Sequence, residues 1–367
     1  MRYNRNKIMN LKYLVVGAFI FCHCLNSIGQ NKVDLPDGVA QQAQKRIDTG
    51  IHLGTIIGII DKNGTRYYSF GQMSLNDNSK PDENSLFEIA SITKPYTTSL
   101  LADLELSGAM KIDAPVQEYL PIFNEVKSKR VIALLDLINH TSGLPRNPDN
   151  TTTDDSNRYR DYTVEMLSQY LSGYKIRSKK RYLYSNLAYV VLEHALELKM
   201  NETYEELLQN RVLDELGMMD TYFTVPDKER HRLVTPYRDG KHVTPIDMGK
   251  FPAGGGIIAS AKDMLRFLEA QLGLYSTKLD SALKITHKQR FSDEKQTLGL
   301  AWKILKREES GKTILFHKGG SNGFSSFAGF DVENQIGVVV LTSGAHYFSD
   351  LGFKILDDTY PLYDPEE

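Results

Sequence analysis

Cysteine is almost missing: the 367 residues contain two, Cys22 and Cys24, both near the start of the chain. Positive charge is not in excess either. With 44 Lys and Arg against 46 Asp and Glu, the net charge is −2, which leaves no electrostatic footprint for nucleic acid. None of the nine histidines stands at a metal-ligand spacing such as His-x-x-x-His. A phosphate-binding loop and a dinucleotide fingerprint are also lacking, so neither a metal nor another cofactor is expected. Repeats and low-complexity blocks do not occur. The longest apolar run near the N-terminus, Tyr13 to Leu25, has roughly thirteen residues and falls short of the ~20 that a spanning helix needs.

That run has a context. Arg2, Arg5, Lys7 and Lys12 precede it, and Ser27-Ile28-Gly29 follows as a small-x-small pattern. Basic start, apolar middle and small-residue end make the layout of a secretory signal peptide over 1–29, which places the remaining chain (30–367) in the periplasm or outside the cell. The alternative is an uncleaved membrane anchor, and membrane contact is expected at most through this segment. Phe21 and His23 precede the cysteines where a lipoprotein signal has a small residue. Cleavage removes both cysteines, excluding a disulfide, a thiol nucleophile and a thiolate-bound metal. It also removes four basic and no acidic residues, taking the net charge from −2 to −6.

What is present suits a globular protein: 41% hydrophobic and 25% charged residues. A single core stops growing at about 250–300 residues, so two lobes are expected. Thr55–Ile60 and Thr65–Phe70 are β-rich and flank Asn63-Gly64, a hairpin signal. Leu100, Leu101 and Leu104, stopped by Gly108, suit a helix after Ser91. Helical patterns dominate from about Asp113 to Asp247, including Leu187–Leu198 and Tyr204–Leu216, and Ala261–Gln271 is amphipathic. Polar Asn147–Asp161 reads as a surface loop. Thr313–Lys318, Phe324–Asp331 and Ile336–Thr342 return to strand, before a last helix near Phe348–Asp358. The fold expected is α+β: one antiparallel sheet from both ends of the chain (about 31–112 and 250–367), flanked by terminal helices, beside an all-helical lobe (about 113–249).

Three short stretches can carry chemistry. In Ser91-Ile92-Thr93-Lys94, residues three apart share a helix face, so an ammonium can sit beside a hydroxyl that is otherwise a weak nucleophile. A helix start adds free N–H groups and a positive dipole end. Ser172–Lys175 and Ser281–Lys284 share the spacing, so the motif alone does not choose. Tyr184-Ser185-Asn186 adds a phenol that can shuttle a proton if cations lower its pKa, and an amide that can hold Lys94 or a substrate; a packed tyrosine and a capping asparagine are the plain alternative. His317-Lys318-Gly319-Gly320 ends a β-run, where glycine admits a close substrate backbone. Side chains alternate on a strand, so only one of His317 and Lys318 can face a pocket.

Taken in order, Ser-x-x-Lys, Tyr-x-Asn and His/Lys-x-Gly resemble the signature set of serine β-lactamases and penicillin-binding proteins. Tyrosine in the second motif makes the chain similar to the class C branch, which includes D-alanyl-D-alanine carboxypeptidases and endopeptidases, D-aminopeptidases and family VIII esterases. Asp113-Ala114-Pro115, Tyr119-Leu120-Pro121, His140-Thr141-Ser142-Gly143-Leu144, Gly254-Gly255-Gly256 ahead of Asp263-Met264, and Gly299-Leu300-Ala301-Trp302 extend the resemblance from about Ile51 to Thr342. It implies an acyl-enzyme at Ser91, proton transfer by Lys94 and Tyr184, and Asn186 holding Lys94 and a substrate amide. It further implies substrate contacts at His317, Gly319 and Gly320, with an oxyanion hole from the N–H groups of Ser91 and Gly320. The substrates implied are cell-wall D-peptides, β-lactams or small esters. His317 stands where the branch has an anion-binding lysine, which favours D-peptides slightly over antibiotic resistance; a register on Lys318-Gly319-Gly320 is the other option. Ser178-Lys179 replaces the usual Pro-Gly, inside a basic run from Lys175 to Arg181 that reads as a solvated loop or as a lure for anions. A carboxylesterase and a non-catalytic sensor or scaffold are the rival functions, and the intact Ser91, Lys94 and Tyr184 argue against the second.

Overall fold

The computed structural model describes residues 35–151, 157–176, 179–344, 346 and 348–364. The segment read as a signal peptide and Ser178 lie outside them. Helix α1 (Val39–Asp48) buries Val39, Ala43 and Arg46, the i, i+4, i+7 stripe of one helix face. Strands β1 (Gly54–Asp61) and β2 (Gly64–Gly71) form the expected hairpin, with Gly64 at φ 104°, a conformation that glycine adopts without strain. Strand β3 (Leu86–Glu88) leads through a 3₁₀ turn, Ala90–Ile92, into α2 (Thr93–Leu106).

Helices α3 (Leu134–Ile138), α4 (Val164–Gly173), α5 (Leu187–Met200), α6 (Tyr204–Leu208) and α7 (Asp214–Leu216) follow, the last two joined by a π turn at Gln209–Leu213. Here the expected all-helical lobe needs correction. Within the stretch given to it lie β4 (Thr221–Tyr222) and a hairpin of β5 (Tyr237–Arg238) and β6 (Lys241–His242). Strand β4 pairs with β7 (Ile258–Ser260), which also pairs with β3. Two-residue strands are too short to display any hydrophobic period. The chain continues through α8 (Ala261–Gln271), α9 (Asp280–His287), β8 (Phe291–Ser292), β9 (Thr297–Leu298), β10 (Lys303–Lys306), β11 (Thr313–Gly320), β12 (Phe324–Asp331), β13 (Ile336–Ser343) and α10 (Ser349–Leu356).

Both ends of the chain build one sheet, in the order β2-β1-β13-β12-β11-β10-β9-β8. The seam is antiparallel β1 against β13, with Ile57 opposite Val340. Side chains alternate across these strands. Ile56 and Ile60 of β1, Val339 and Leu341 of β13, and Leu315 of β11 join the core that includes α2 and α8. Ile57, Ile59, Val338, Val340 and Ile314 point the other way, under α1 and α10. Arg46 of α1, fully buried, forks onto Asp350 of α10 at 2.6 and 3.0 Å and ties the two terminal helices together.

An aromatic column fixes α2 against the sheet. The ring of Tyr96 stacks on Phe267 of α8 at 3.9 Å, Phe267 lies 6.2 Å from Trp302, and Trp302 meets Phe330 of β12 edge-on at 4.9 Å. Rings in offset or T-shaped contact add to the area they bury. On the opposite face α10 lies close to the sheet because Gly352 has no side chain. A Cβ there would stand 2.3 Å from the Phe327 ring. Gly352→Ala is expected to push α10 away and lower stability by about 1–3 kcal/mol, read as a drop in Tm. Catalytic constants well below the melting range should hold, because the candidate site lies on the other face.

Candidate active site

Ser91 sits in the 3₁₀ turn between β3 and α2, preceded by Ala90 at φ 46°. A non-glycine residue there costs roughly 1–2 kcal/mol, so neighbours must hold it. Ser326 Oγ donates to the Ile89 carbonyl at 2.8 Å, Thr93 Oγ1 donates to the Ala90 carbonyl at 2.7 Å, and the Ile89 N–H donates to the Ile257 carbonyl at 3.0 Å. The result is a braced turn with Ser91 half-buried among fully buried neighbours. Glu88, also buried, accepts the Ile246 N–H at 2.9 Å, and burial pushes its carboxyl up to about 7.

Lys94 comes off the first turn of α2, with Pro95 behind it where the missing N–H costs little. Its ammonium is fully buried and lies 3.2 Å from Ser91 Oγ, 3.2 Å from Asn186 Oδ1 and 2.5 Å from the Gly254 carbonyl. An ammonium has three donors, so these acceptors use all of them. Tyr184 Oη is 2.8 Å from Ser91 Oγ. The Tyr184 hydroxyl donates to Ser91 Oγ, which also accepts from Lys94; once the phenol has lost its proton, the serine hydroxyl becomes the donor of that pair. Burial raises the Tyr184 pKa, but the Lys94 charge, the hydrogen bond with Ser91 and the Arg146 charge together hold it below its ordinary value. Burial lowers the Lys94 pKa, with Tyr184 opposing and Arg146 reinforcing the shift. A phenol made more acidic, touching a hydroxyl beside a cation, can lose its proton and become the phenolate that accepts the serine proton and later returns it.

Asn186 precedes α5, yet its side chain does not cap that helix; it reaches Lys94, and its Nδ2 donates to Asn147 Oδ1 at 3.2 Å. On β11 the choice between His317 and Lys318 is decided by parity. His317 shares the face of Leu315 and is buried on the site side. Lys318 points to the α10 side and lines a cavity of about 500 Å³ with Phe348, Tyr360 and Leu362. Burial first, then the charges of Lys94 and Lys303, hold the His317 imidazole neutral, at about 3. Gly319 admits no side chain: a Cβ would lie 2.2 Å from the Ile89 carbonyl and 2.3 Å from Ser326 Oγ. A Cβ at Gly320 would meet nothing within 4 Å, so that position opens outward.

The other two Ser-x-x-Lys pairs stay apart from this cluster. Ser172 donates to the Gln169 carbonyl on an exposed helix, and Ser281 and Lys284 sit on α9. In the basic run, Lys180 forms a 2.8 Å ion pair with Asp136. Three contributors were invisible as functional residues in the sequence. Gly254 supplies a backbone carbonyl, which no residue type announces. His140 packs its ring 4.3 Å from the Tyr184 ring, accepts the Ser185 N–H at 3.1 Å, and is held neutral by burial and by the Lys94 charge. The Arg146 guanidinium lies 5.2 Å from the Tyr184 ring centre. For His140 the one cue was its place in the His-Thr-Ser-Gly-Leu segment; Arg146 had none.

The profile of the Beta-lactamase family matches residues 39–355. The chain is 27% identical over 328 residues to the D-alanyl-D-alanine-carboxypeptidase/endopeptidase AmpH of Escherichia coli (strain K12), covering 83% of each. It is 25% identical over 262 residues to a beta-lactamase of Psychrobacter immobilis, covering 68% of this chain and 62% of that one. Among solved structures, a class C beta-lactamase from Rhodobacter sphaeroides superposes with a TM-score of 0.75 at 23% identity, covering 84% of this chain and 94% of that one. A beta-lactamase/D-alanine carboxypeptidase from Pseudomonas syringae gives 0.75 at 22%, covering 88% and 98%. These structural likenesses carry the fold.

Glu88 yields a pH test. Its folded pKa of about 7 lies above the unfolded 4.5, so the folded state binds the extra proton. The stability tied to that proton is fully present below pH 4.5 and is lost as pH rises through about 7. Melting curves between pH 4.5 and 8 should show a fall that Glu88→Gln flattens; the slope due to this group is at most about 1.4 kcal/mol per pH unit.

Proposed function

The chain belongs to the beta-lactamase family and is a serine hydrolase, and from that premise we propose that it cleaves D-alanine-type peptide bonds of the cell wall, β-lactam amides, or both, through an acyl-enzyme at Ser91. One observation carries the reading: Ser91 Oγ stands 2.8 Å from Tyr184 Oη and 3.2 Å from Lys94 Nζ. In this mechanism Tyr184 acts as the phenolate that its lowered pKa favours beside Lys94, and Ser91 Oγ attacks the substrate carbonyl while its proton passes to that phenolate oxygen. The buried Lys94 charge offsets the negative charge that develops across the serine and phenol oxygens. The N–H groups of Ser91 and Gly320 receive the oxyanion, each such donor being worth about 10²–10³ in rate. Collapse breaks the carbonyl–leaving-group bond, and Tyr184 returns the proton to the departing nitrogen or oxygen. Water then attacks the acyl-serine ester and frees the acid. Asn186 holds Lys94 in place and offers an amide to the substrate, while Gly319 lets the substrate backbone lie along β11.

The relatives' own substrates, as their names state them, support D-peptides and β-lactams alike. Neutral His317, in place of an anion-binding lysine, tilts the choice toward D-peptides over true resistance, and it keeps small esters as the second reading. The sheet lobe with its terminal helices and the helical stretch before β4 are proposed to be the two walls of the cleft. The N-terminal layout of charge, apolar run and small residues supports export to the periplasm, with an uncleaved anchor as the alternative.

Intact-mass spectrometry after incubation with a β-lactam panel should find one acyl adduct per chain, lost in Ser91→Ala. Turnover of nitrocefin, a D-Ala-D-Ala peptide and p-nitrophenyl acetate should rank the substrate classes. On the best of them Ser91→Ala should lose a factor on the order of 10³ or more, and Tyr184→Phe about 10²–10⁴. Full activity in Ser91→Ala would rule the mechanism out.

A further inference from the structure

The exposed end of β11 differs chemically from its buried end. At the buried end His317 is neutral and offers no charge to an anion. Beyond Gly320 a cavity of about 250 Å³ opens, bordered by Gly320, Ser321, Asn186, Asn147 and Arg146. Arg146 is exposed, and among the described residues it makes no ion pair. Its position is nevertheless fixed. Its carbonyl accepts the N–H groups of Asn186 at 2.8 Å and Leu187 at 3.2 Å, and its guanidinium lies against the Tyr184 ring at 5.2 Å. Arg158 lines the same cavity and adds a second cation. The acid on this wall, Asp247, is turned to its own loop, where it accepts the Gly249 N–H at 2.9 Å.

A guanidinium without an ion pair among the described residues, its backbone tethered to the start of α5 beside Tyr184, is a built receptor for a carboxylate, because its fork matches two carboxylate oxygens. We propose that Arg146 binds a carboxylate on the acyl part of the substrate, so that the enzyme selects acyl donors with an anionic group a short chain away from the scissile carbonyl. The inference rests on the hydrolase reading above and adds a substrate class to it. The cation that His317 does not supply on the strand stands instead on the loop between α3 and α4. The acyl group, held on Ser91, runs past Asn186 and Gly320 toward Arg146.

The test uses two ester pairs on the full chain. Mono-p-nitrophenyl adipate and p-nitrophenyl hexanoate share a leaving group and differ by a terminal carboxylate on the acyl side. 3-Carboxyphenyl hexanoate and phenyl hexanoate place that charge on the leaving side. The readout is the ratio of kcat/KM within each pair, which cancels any change in the catalytic step common to both esters. In the wild type the acyl-side ratio should favour adipate. Arg146→Ala should reduce that ratio roughly tenfold to a hundredfold, the range of a lost charge-assisted hydrogen bond, and Arg146→Lys should retain most of it. The leaving-side ratio should not move. An acyl-side ratio unchanged in Arg146→Ala overturns the inference, as does a response confined to the leaving-side pair. Equal loss on both acyl-side esters overturns it too, since Arg146 would then act through Tyr184. Hexanoate turnover by the wild type and not by Ser91→Ala upholds the hydrolase reading in every one of these cases.

Discussion

A lysine ammonium with no access to water is the constraint around which this site is arranged. Removing a charge from water is expensive unless it is paired or fully hydrogen-bonded. Lys94 has no carboxylate partner in its contacts; it has the Gly254 carbonyl, Asn186 Oδ1 and Ser91 Oγ, with the rings of Tyr184 and Tyr189 each 5.0 Å away. These groups come from the turn after β3, the start of α5 and the glycine loop before β7. Satisfying one cation therefore draws three distant stretches of chain to a point. The aromatic column behind α2 holds that helix, from which Lys94 projects, against the sheet.

The same charge sets the electrostatics of its surroundings. It depresses the Tyr184 phenol, and together with burial it keeps His140 and His317 uncharged. Two histidines close to the site are thus neutral packing and hydrogen-bonding groups, and proton traffic falls to the proposed Tyr184–Lys94 pair. Such a division of labour, in which burial and a neighbouring buried cation together push the protonation states of adjacent groups apart, is a common way to obtain acid–base chemistry near neutral pH.

Much of this was legible in the sequence, and the failures have physical reasons. Helical spacing sufficed to bring Ser91 to Lys94, because three residues is a property of one helix turn. The sheet shared by both chain ends followed from strand-rich termini around a helical middle. The two-residue strands β4, β5 and β6 were missed because nothing so short carries a pattern. The choice between His317 and Lys318 stayed open because β11 is apolar on both faces: Ile314 and Leu315 are both buried, so alternation gave no direction. The Gly254 carbonyl could not be read at all, since every residue has one. Arg146 was hidden because its proximity to Tyr184 depends on the path of the loop between α3 and α4.

Gly319 and Gly320 are neighbours with opposite tolerances. The first is wedged against the Ile89 carbonyl and Ser326 Oγ, so any substituent would prise the strand from the turn that carries Ser91. The second faces empty space. Adaptive change along this edge is thereby channelled: position 319 is closed to variation, while position 320, of the same strand parity as Lys318, can take on bulk without disturbing the frame. Remodelling of this strand end, by design or by drift, begins at 320.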